Sequence, residues 1–200
     1  MLVHEKSMDK QEFARQLSEL QNQIFYAILS HDIYLELWPS DDKVHIINYH
    51  KDFFNPVRSA LYQAMFMGLS RIFDLDNRTI SLVSLLDSAV NQAELVPNLT
   101  SKELEDIIAQ ILKHSDILRT MRQLRDQQLA HSDANLQPLS PLTLGEISDL
   151  IETVMKVFNE LSIGHDRAQY AWEFQRSHSK QDAAEVIRIL QEEVKKPRQY

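Results

Sequence analysis

The 200-residue chain contains no cysteine and only three glycines. Without cysteine, the protein has no disulfide, no thiolate metal ligand and no cysteine nucleophile. Average usage would give roughly fourteen glycines in a chain of this length, and turn-rich β architectures need glycine for backbone conformations with positive φ. The shortage of glycine therefore predicts an all-α fold.

Long apolar runs and an excess of positive charge are missing too. No stretch approaches the roughly eighteen apolar residues of a membrane span, and the opening MLVHEKSMDK lacks the apolar core of a signal peptide. We therefore expect a soluble cytoplasmic protein with no membrane partner. The formal net charge is −8, whereas non-specific nucleic-acid binding needs many lysine and arginine contacts to phosphate. Any nucleic-acid site must be local.

Helical periodicity is what the sequence does contain. With 44% hydrophobic residues, 200 residues can close one core. We expect a single domain over residues 1–200, built as a bundle of about five to seven helices. Its core covers about residues 54–161, with an N-terminal helix over 9–37 and C-terminal helices over 165–196 packed on it.

Capping residues mark several helix boundaries. Thr-x-x-Glu motifs at Thr100 and Thr143 precede apolar-periodic runs and predict two helix starts. The first of these helices is expected to continue without a break into the RDQQLAHSD stretch. Asn55-Pro56 predicts another start, Gly164 predicts a helix end, and a last helix is expected over about 181–195.

Motifs for metals and cofactors are weak or missing. DLDNRTISLVSL begins like a calcium loop, with Asp74 and Asp76 at its first and third positions. It has Ile80 in place of the required glycine and Leu85 in place of the final glutamate. The eight histidines include no HExxH pair, and the chain has no glycine-rich phosphate loop. We expect neither a metal nor another cofactor.

The stretch RDQQLAHSD, Arg125 to Asp133, offers a possible catalytic group. Cleavage of RNA by its 2′-hydroxyl needs proton transfer and positive charge at the phosphate. His131 can move the proton, Arg125 can grip the phosphate, and Asp126 can orient either side chain. The structural alternative is that Arg125 meets the helix dipole and His131 caps carbonyls. Arg71 and Asp74 are expected to form a structural ion pair, with phosphate contact as the alternative.

Arg125-Asp126 followed by four residues and His131 resembles the Arg-polar-x4-His signature of the HEPN superfamily of helical bundles. The phrases LSRIFDLDNRTISLVSLL and LRTMRQLRDQQLAHSD together resemble its abortive-infection branch, found in bacterial phage-defence and toxin systems. The resemblance spans roughly residues 54–161. One departure is Asp133, where HEPN toxins that are controlled by nucleotidyltransferase partners have a tyrosine, so control by tyrosine modification there is excluded.

The resemblance implies a metal-independent endoribonuclease that acts as a homodimer on RNA, with an antitoxin protein as a further possible partner. Arg125, Asp126 and His131 would be catalytic, and Arg71, Asp74 and Asp133 would bind substrate or support the site. Six residues of regular helix turn by about 600°, so Arg125 and His131 would point about 120° apart. A distorted helix end or a second copy would have to bring them together. The alternatives are a non-catalytic helical module that binds a partner protein, and a structural scaffold.

Overall fold

The structure is a computed structural model that describes residues 8–76, 78–129 and 142–195. These residues form eight α-helices and one short 3-10 helix, with no strand among them, which confirms the all-α prediction. In chain order they are α1 (Lys10–Glu36), α2 (Val44–Tyr49), α3 (Lys51–Ile72), α4 (Leu82–Asn91), the 3-10 helix (Ala93–Leu95), α5 (Ser101–Leu112), α6 (Ser115–Leu129), α7 (Leu144–Asp166) and α8 (Trp172–Lys195).

The chain divides into two compact units. The first contains Met1–Ile24 and Met67–Tyr170, and the second contains Phe25–Phe66 and Ala171–Tyr200. The candidate site residues that the structure describes are Arg71, Asp74, Arg125 and Asp126, and all of them belong to the first unit.

Both Thr-x-x-Glu motifs start helices in the first unit, as predicted. The Thr143 hydroxyl accepts a hydrogen bond from the Glu146 backbone N–H at 3.2 Å, and the Glu146 carboxylate accepts one from the Thr143 N–H at 2.7 Å. The equivalent reciprocal pair joins Thr100 and Glu103 at the start of α5. These capping boxes satisfy N–H groups that the helix itself leaves unpaired.

The prediction that Gly164 ends a helix is wrong. Helix α7 continues to Asp166 and is capped by Arg167, which adopts the left-handed conformation with φ 66°. Gly164 is a packing position, because a Cβ added there would lie 2.6 Å from Leu99 Cγ. Its carbonyl also accepts a hydrogen bond from the Asn98 backbone N–H at 3.0 Å. The glycine allows the loop before α5 to approach α7.

The helix predicted to run unbroken into RDQQLAHSD is two helices, α5 and α6. The break falls at Lys113 and His114, where the His114 N–H donates to Ile111 O in a tighter turn. The His114 ring nitrogen Nε2 lies 2.9 Å from the Thr153 hydroxyl on α7. This contact attaches the start of α6 to α7. The break, together with the short α2, brings the helix count above the predicted five to seven.

In the second unit, the predicted helix start at Asn55-Pro56 is also wrong, because α3 begins at Lys51 and contains Pro56. The His50 carbonyl accepts hydrogen bonds from the N–H groups of Phe53 and Phe54. Pro56 is the sixth residue of the helix, so its missing N–H removes one backbone hydrogen bond of the second turn, and the helix continues through it. The early start places Phe54 in the core of the second unit, where it is buried with Leu37, Ile46, Ile47 and Ile187.

Helix α8 is longer than predicted, since it begins at Trp172 and not near residue 181. A buried ion pair anchors this extra part within the second unit. The Arg176 guanidinium donates from Nε to Asp32 Oδ2 at 2.9 Å and from Nη2 to Oδ1 at 3.1 Å. Asp32 also lies 2.9 Å from the His31 ring nitrogen Nδ1. A polar cluster of this kind carries no hydrophobic periodicity, so the sequence pattern missed it.

Candidate functional site

Helix α6 places Arg125 at the surface of the first unit. Leu118 and Met121 are buried and fix one face of the helix against the core. Arg125 lies four residues after Met121 and seven after Leu118, and 22% of its side chain is exposed. The arginine is therefore held on a packed helix while it keeps access to water.

The residues after α3 supply the partner of Arg125. Asp74 is fixed in a turn, because its Oδ1 accepts from the Asp76 backbone N–H at 3.1 Å and its carbonyl accepts from the Ser81 hydroxyl at 2.8 Å. Ser81 caps α4 through a capping box with Ser84. Asp74 and Asp76 thus accept backbone hydrogen bonds in the turn that precedes α4, and Ser81 caps that helix.

Arg125 contacts two carboxylates. Its Nη1 donates to Asp74 Oδ2 at 3.3 Å, and its Nε donates to Asp126 Oδ1 at 3.1 Å. The third nitrogen, Nη2, makes no hydrogen bond with the described part of the chain. The two aspartates thus orient the guanidinium and leave one donor edge available to a ligand.

The pair formed by Arg78 and Asp76 in the same turn shows how strongly an arginine lowers the pKa of an adjacent aspartate. Arg78 donates to the Asp76 carboxylate from its Nε and Nη2 and from its backbone N–H. These side-chain and backbone hydrogen bonds, helped by the charge of Arg78, lower the pKa of Asp76 to about 2. Asp76 therefore stays ionised across the physiological range and is not a proton carrier for this site.

The expected ion pair between Arg71 and Asp74 does not form. Arg71 lies exposed in the last turn of α3 and makes no hydrogen bond or ion pair with the described residues. Asp74 follows the helix end, where its turn directs the carboxylate to Arg125 instead. Arg71 remains a cation close in sequence to the site, with no acidic partner in the described part of the chain.

Arg122 is a further cation on α6 that the sequence analysis did not single out. It precedes Arg125 by one helical turn and is half-buried, and its Nε donates to Leu118 O at 3.3 Å. Within the described ranges no carboxylate lies within ion-pair distance of its guanidinium, in contrast to Arg119 and Arg125. The sequence RTMRQLRD has an arginine at every third position, and this spacing keeps the side chains on neighbouring faces of a helix. That pattern could have indicated Arg122 before the structure was known.

Two predicted site residues, His131 and Asp133, lie outside the described residues. The structure therefore brings together Arg125, Asp126 and Asp74, and it does not test the placement of the histidine. Among the residues it describes, no three His, Asp or Glu side chains form a group that could hold a metal ion. No helix in those ranges combines the length and apolar character of a membrane span.

Comparison with protein families gives one match over most of the chain. The family model HEPN_AbiU2, described as AbiU2, matches residues 10–186. This range includes α1 to α7, the Asp74 turn and the Arg125 motif. Searches of curated proteins and of solved structures found no match.

Proposed function

The chain belongs to the AbiU2 family of HEPN-type abortive-infection proteins, and from this we propose that it is an endoribonuclease of a phage-defence or toxin system. The observation that carries the proposal is the state of Arg125. Two carboxylates orient its guanidinium and Nη2 has no partner among the described residues. An oriented arginine with a free donor edge is suited to bind a phosphate oxygen.

The proposed reaction uses the nucleophile of the RNA itself. The 2′-oxygen attacks the phosphorus as the bond from phosphorus to the 5′-oxygen breaks, which leaves a 2′,3′-cyclic phosphate. His131 takes the proton of the 2′-hydroxyl or gives one to the leaving 5′-oxygen, water exchanges the other proton, and Arg125 stabilises the negative charge that builds on the phosphate. Asp126 and Asp74 keep the guanidinium in position. Since the reaction needs only proton transfer and charge stabilisation, we propose that cleavage is independent of metal.

The local charge is compatible with RNA in spite of the overall −8. Asp74 and Asp126 carry two negative charges against the single positive charge of Arg125, so these three side chains alone would attract a phosphate poorly. Arg122, one turn earlier, and Arg71, three residues before Asp74, add two cations without acidic partners among the described residues. The formal charges of these three arginines and two aspartates sum to a positive value, which favours phosphate binding.

We further propose that the active unit is a homodimer in which two motifs share one cleft. On a regular helix residues i and i+6 point about 120° apart, so either a distorted helix end or a second copy of the motif would have to bring Arg125 and His131 to one phosphate, and we propose the second copy. Two-fold symmetry would place a second motif opposite the first. An antitoxin that covers this cleft is a further proposed partner.

The test is cleavage of a labelled single-stranded RNA by purified protein with and without EDTA. We expect Arg125→Ala and His131→Ala to lose about a hundredfold or more in rate, and EDTA to leave cleavage intact. Arg119→Ala is the matched control, because Arg119 lies on α6 but is exposed and pairs with Asp116. Full activity in a folded His131→Ala protein would rule out the mechanism.

Subunit mixing tests the shared cleft. Mixed Arg125→Ala and His131→Ala proteins, allowed to exchange subunits, contain heterodimers with one intact motif pair across the interface. Recovery of cleavage above that of either parent supports a cleft that takes arginine and histidine from different copies. A fully active monomer in sedimentation would exclude it.

The second candidate is a non-catalytic module that binds a partner protein. The same ion pair favours it, since Arg125 and Asp74 connect α6 to the turn after α3 as a structural contact would. In that case Arg125→Ala would lower stability without changing any RNA cleavage. Thermal unfolding of Arg125→Ala, measured beside its cleavage rate, separates the two candidates.

A further inference from the structure

A cavity of about 520 Å³ lies in the first unit, where α4, α5 and α6 meet the residues that follow α3. Most of its lining is apolar, including Phe73, Leu86, Ile111 and Leu118. Small-molecule sites commonly have volumes of roughly 300–1,000 Å³ and are mostly apolar, with a few polar groups. The cavity therefore has the size and lining of a ligand site.

The rim of the cavity leaves apolar side chains in water. Leu75, Val90 and Leu112 line it and are 58%, 53% and 62% exposed. Three large aliphatic side chains gathered around one opening form an apolar patch, not a scatter of single exposed residues. An apolar occupant would remove this surface from water, which is favourable.

Arg122 is the cationic residue of the cavity lining and would favour a ligand with a negative charge. It lines the cavity, is half-buried, and has no carboxylate partner in the described parts of the chain. A guanidinium that is partly removed from water gains strongly from an anion, and its planar donor edge matches a carboxylate. Asp87 and Ser115 are the other polar residues of the lining, and Asp87 is exposed, so water solvates its charge.

We propose that this cavity binds a small amphipathic anion, namely an alkyl carboxylate. The alkyl chain lies among the aliphatic side chains of α4, α5 and α6, and the carboxylate pairs with Arg122. The ligand would contact both segments that the Arg125–Asp74 pair connects, since Phe73 and Leu75 flank Asp74 and Arg122 precedes Arg125 by one turn. The proposal does not depend on ribonuclease activity, because its test is binding.

The test is calorimetric titration of the full chain with octanoate, 1-octanol and octylamine. We expect saturable binding of octanoate and weaker binding of the alcohol, which has the same chain without the charge. Arg122→Gln should weaken octanoate binding roughly tenfold or more, since a charge-assisted hydrogen bond is lost, and should leave 1-octanol binding unchanged. Arg119→Gln, on the same helix but outside the cavity, should leave both unchanged.

A second experiment fills the cavity with a larger side chain and measures ligand binding again. Val83→Trp, on the cavity wall, should abolish binding of both octanoate and 1-octanol, with circular dichroism as the folding control. If that variant does not fold, Leu112→Trp on the exposed rim tests the same point. No saturable binding, an unchanged affinity in Arg122→Gln, or tighter binding of octylamine through Asp87 would each overturn the proposal. Dissociation of a dimer by octanoate in sedimentation would assign the apolar rim to a second copy of the chain and would also overturn it.

Discussion

Replacing Asp74 by asparagine tests whether the Arg125 site binds an RNA phosphate. Asparagine has the shape of aspartate, and its side-chain oxygen can still accept the Asp76 N–H that fixes the turn. The substitution removes the negative charge that faces Arg125 Nη1 at 3.3 Å. It therefore changes the electrostatics of the site with little change in its shape.

The expected gain in RNA affinity follows from Coulomb's law. A phosphate on the free edge of Arg125 would lie roughly 7 Å from the Asp74 carboxylate, across the guanidinium, where repulsion is about 0.6 kcal/mol in water and about 2.4 kcal/mol at an effective dielectric of 20. Asp74 and Arg125 are 23% and 22% exposed, so the true value lies between these limits. Asp74→Asn should therefore tighten RNA binding by at least about threefold.

The assay is fluorescence anisotropy with a 2′-O-methyl RNA, which lacks the attacking hydroxyl and stays uncut. Asp116→Asn is the matched control, because it makes the same charge change on α6 while its side chain is 85% exposed and pairs with Arg119. Asp74→Asn should bind more tightly than this control. With cleavable RNA it should be slower, since Arg125 loses one of the two groups that orient it.

The cost in stability should be small. A half-buried ion pair contributes about 1 kcal/mol or less, so Tm should fall by no more than about 2–4 °C in a chain of this size. If Asp74→Asn binds RNA no better than Asp116→Asn, the phosphate does not lie at Arg125 and the proposed site is wrong.

Three further changes test the site and the fold. Arg125→Lys should lose most cleavage in the RNA assay while unfolding like wild type, because lysine cannot make the two directed contacts of the guanidinium; full activity would contradict the assigned role. Gly164→Ala should lower the free energy of unfolding in urea by about 1–3 kcal/mol, since its Cβ would collide with Leu99, whereas Gly145→Ala in the same helix should not, since its Cβ would meet Thr143 Oγ1 at an ordinary contact distance of 3.9 Å. Burial alone would raise the pKa of Asp32, but hydrogen bonds from His31 and Arg176 and the charges of Arg176 and Lys180 outweigh it and lower the pKa below the ordinary 3.8. Asp32 therefore stabilises the fold fully above pH 3.8, and the stability gap between wild type and Asp32→Asn should narrow as the pH falls below that value; a gap that stays constant would exclude this linkage.

Local patterns predicted the parts of the fold that are determined locally. The Thr100 and Thr143 capping boxes lie within one turn of the helix starts they mark, so sequence spacing alone identifies them. Gly164 was misread because glycine has two uses, as a helix terminator and as a point of close approach. Only the position of Leu99, 65 residues earlier in the chain, decides between them.

The pairing of side chains at the candidate site also depends on residues that are distant in the chain, so the sequence pattern did not predict it. Sequence proximity favoured a pair between Arg71 and Asp74, three residues apart, but the observed partner of Asp74 is 51 residues away. The turn chemistry at Asp76 and Ser81 sets the direction of the Asp74 side chain. Side-chain pairing across helices depends on such directions, which periodicity does not encode.

Two Arg–Asp pairs in this chain show why the contact alone does not define a functional arginine. Arg176 and Asp32 are buried, meet through two hydrogen bonds, and include His31 as a further partner of the carboxylate. Breaking such a pair leaves an uncompensated buried charge, so its role is structural. Arg125 meets Asp74 through one longer contact at partial exposure, and its Nη2 has no partner among the described residues. An arginine that is oriented but makes no hydrogen bond from Nη2 with the described residues can exchange water for phosphate at little cost, and for this reason we propose substrate binding for Arg125 and a structural role for Arg176.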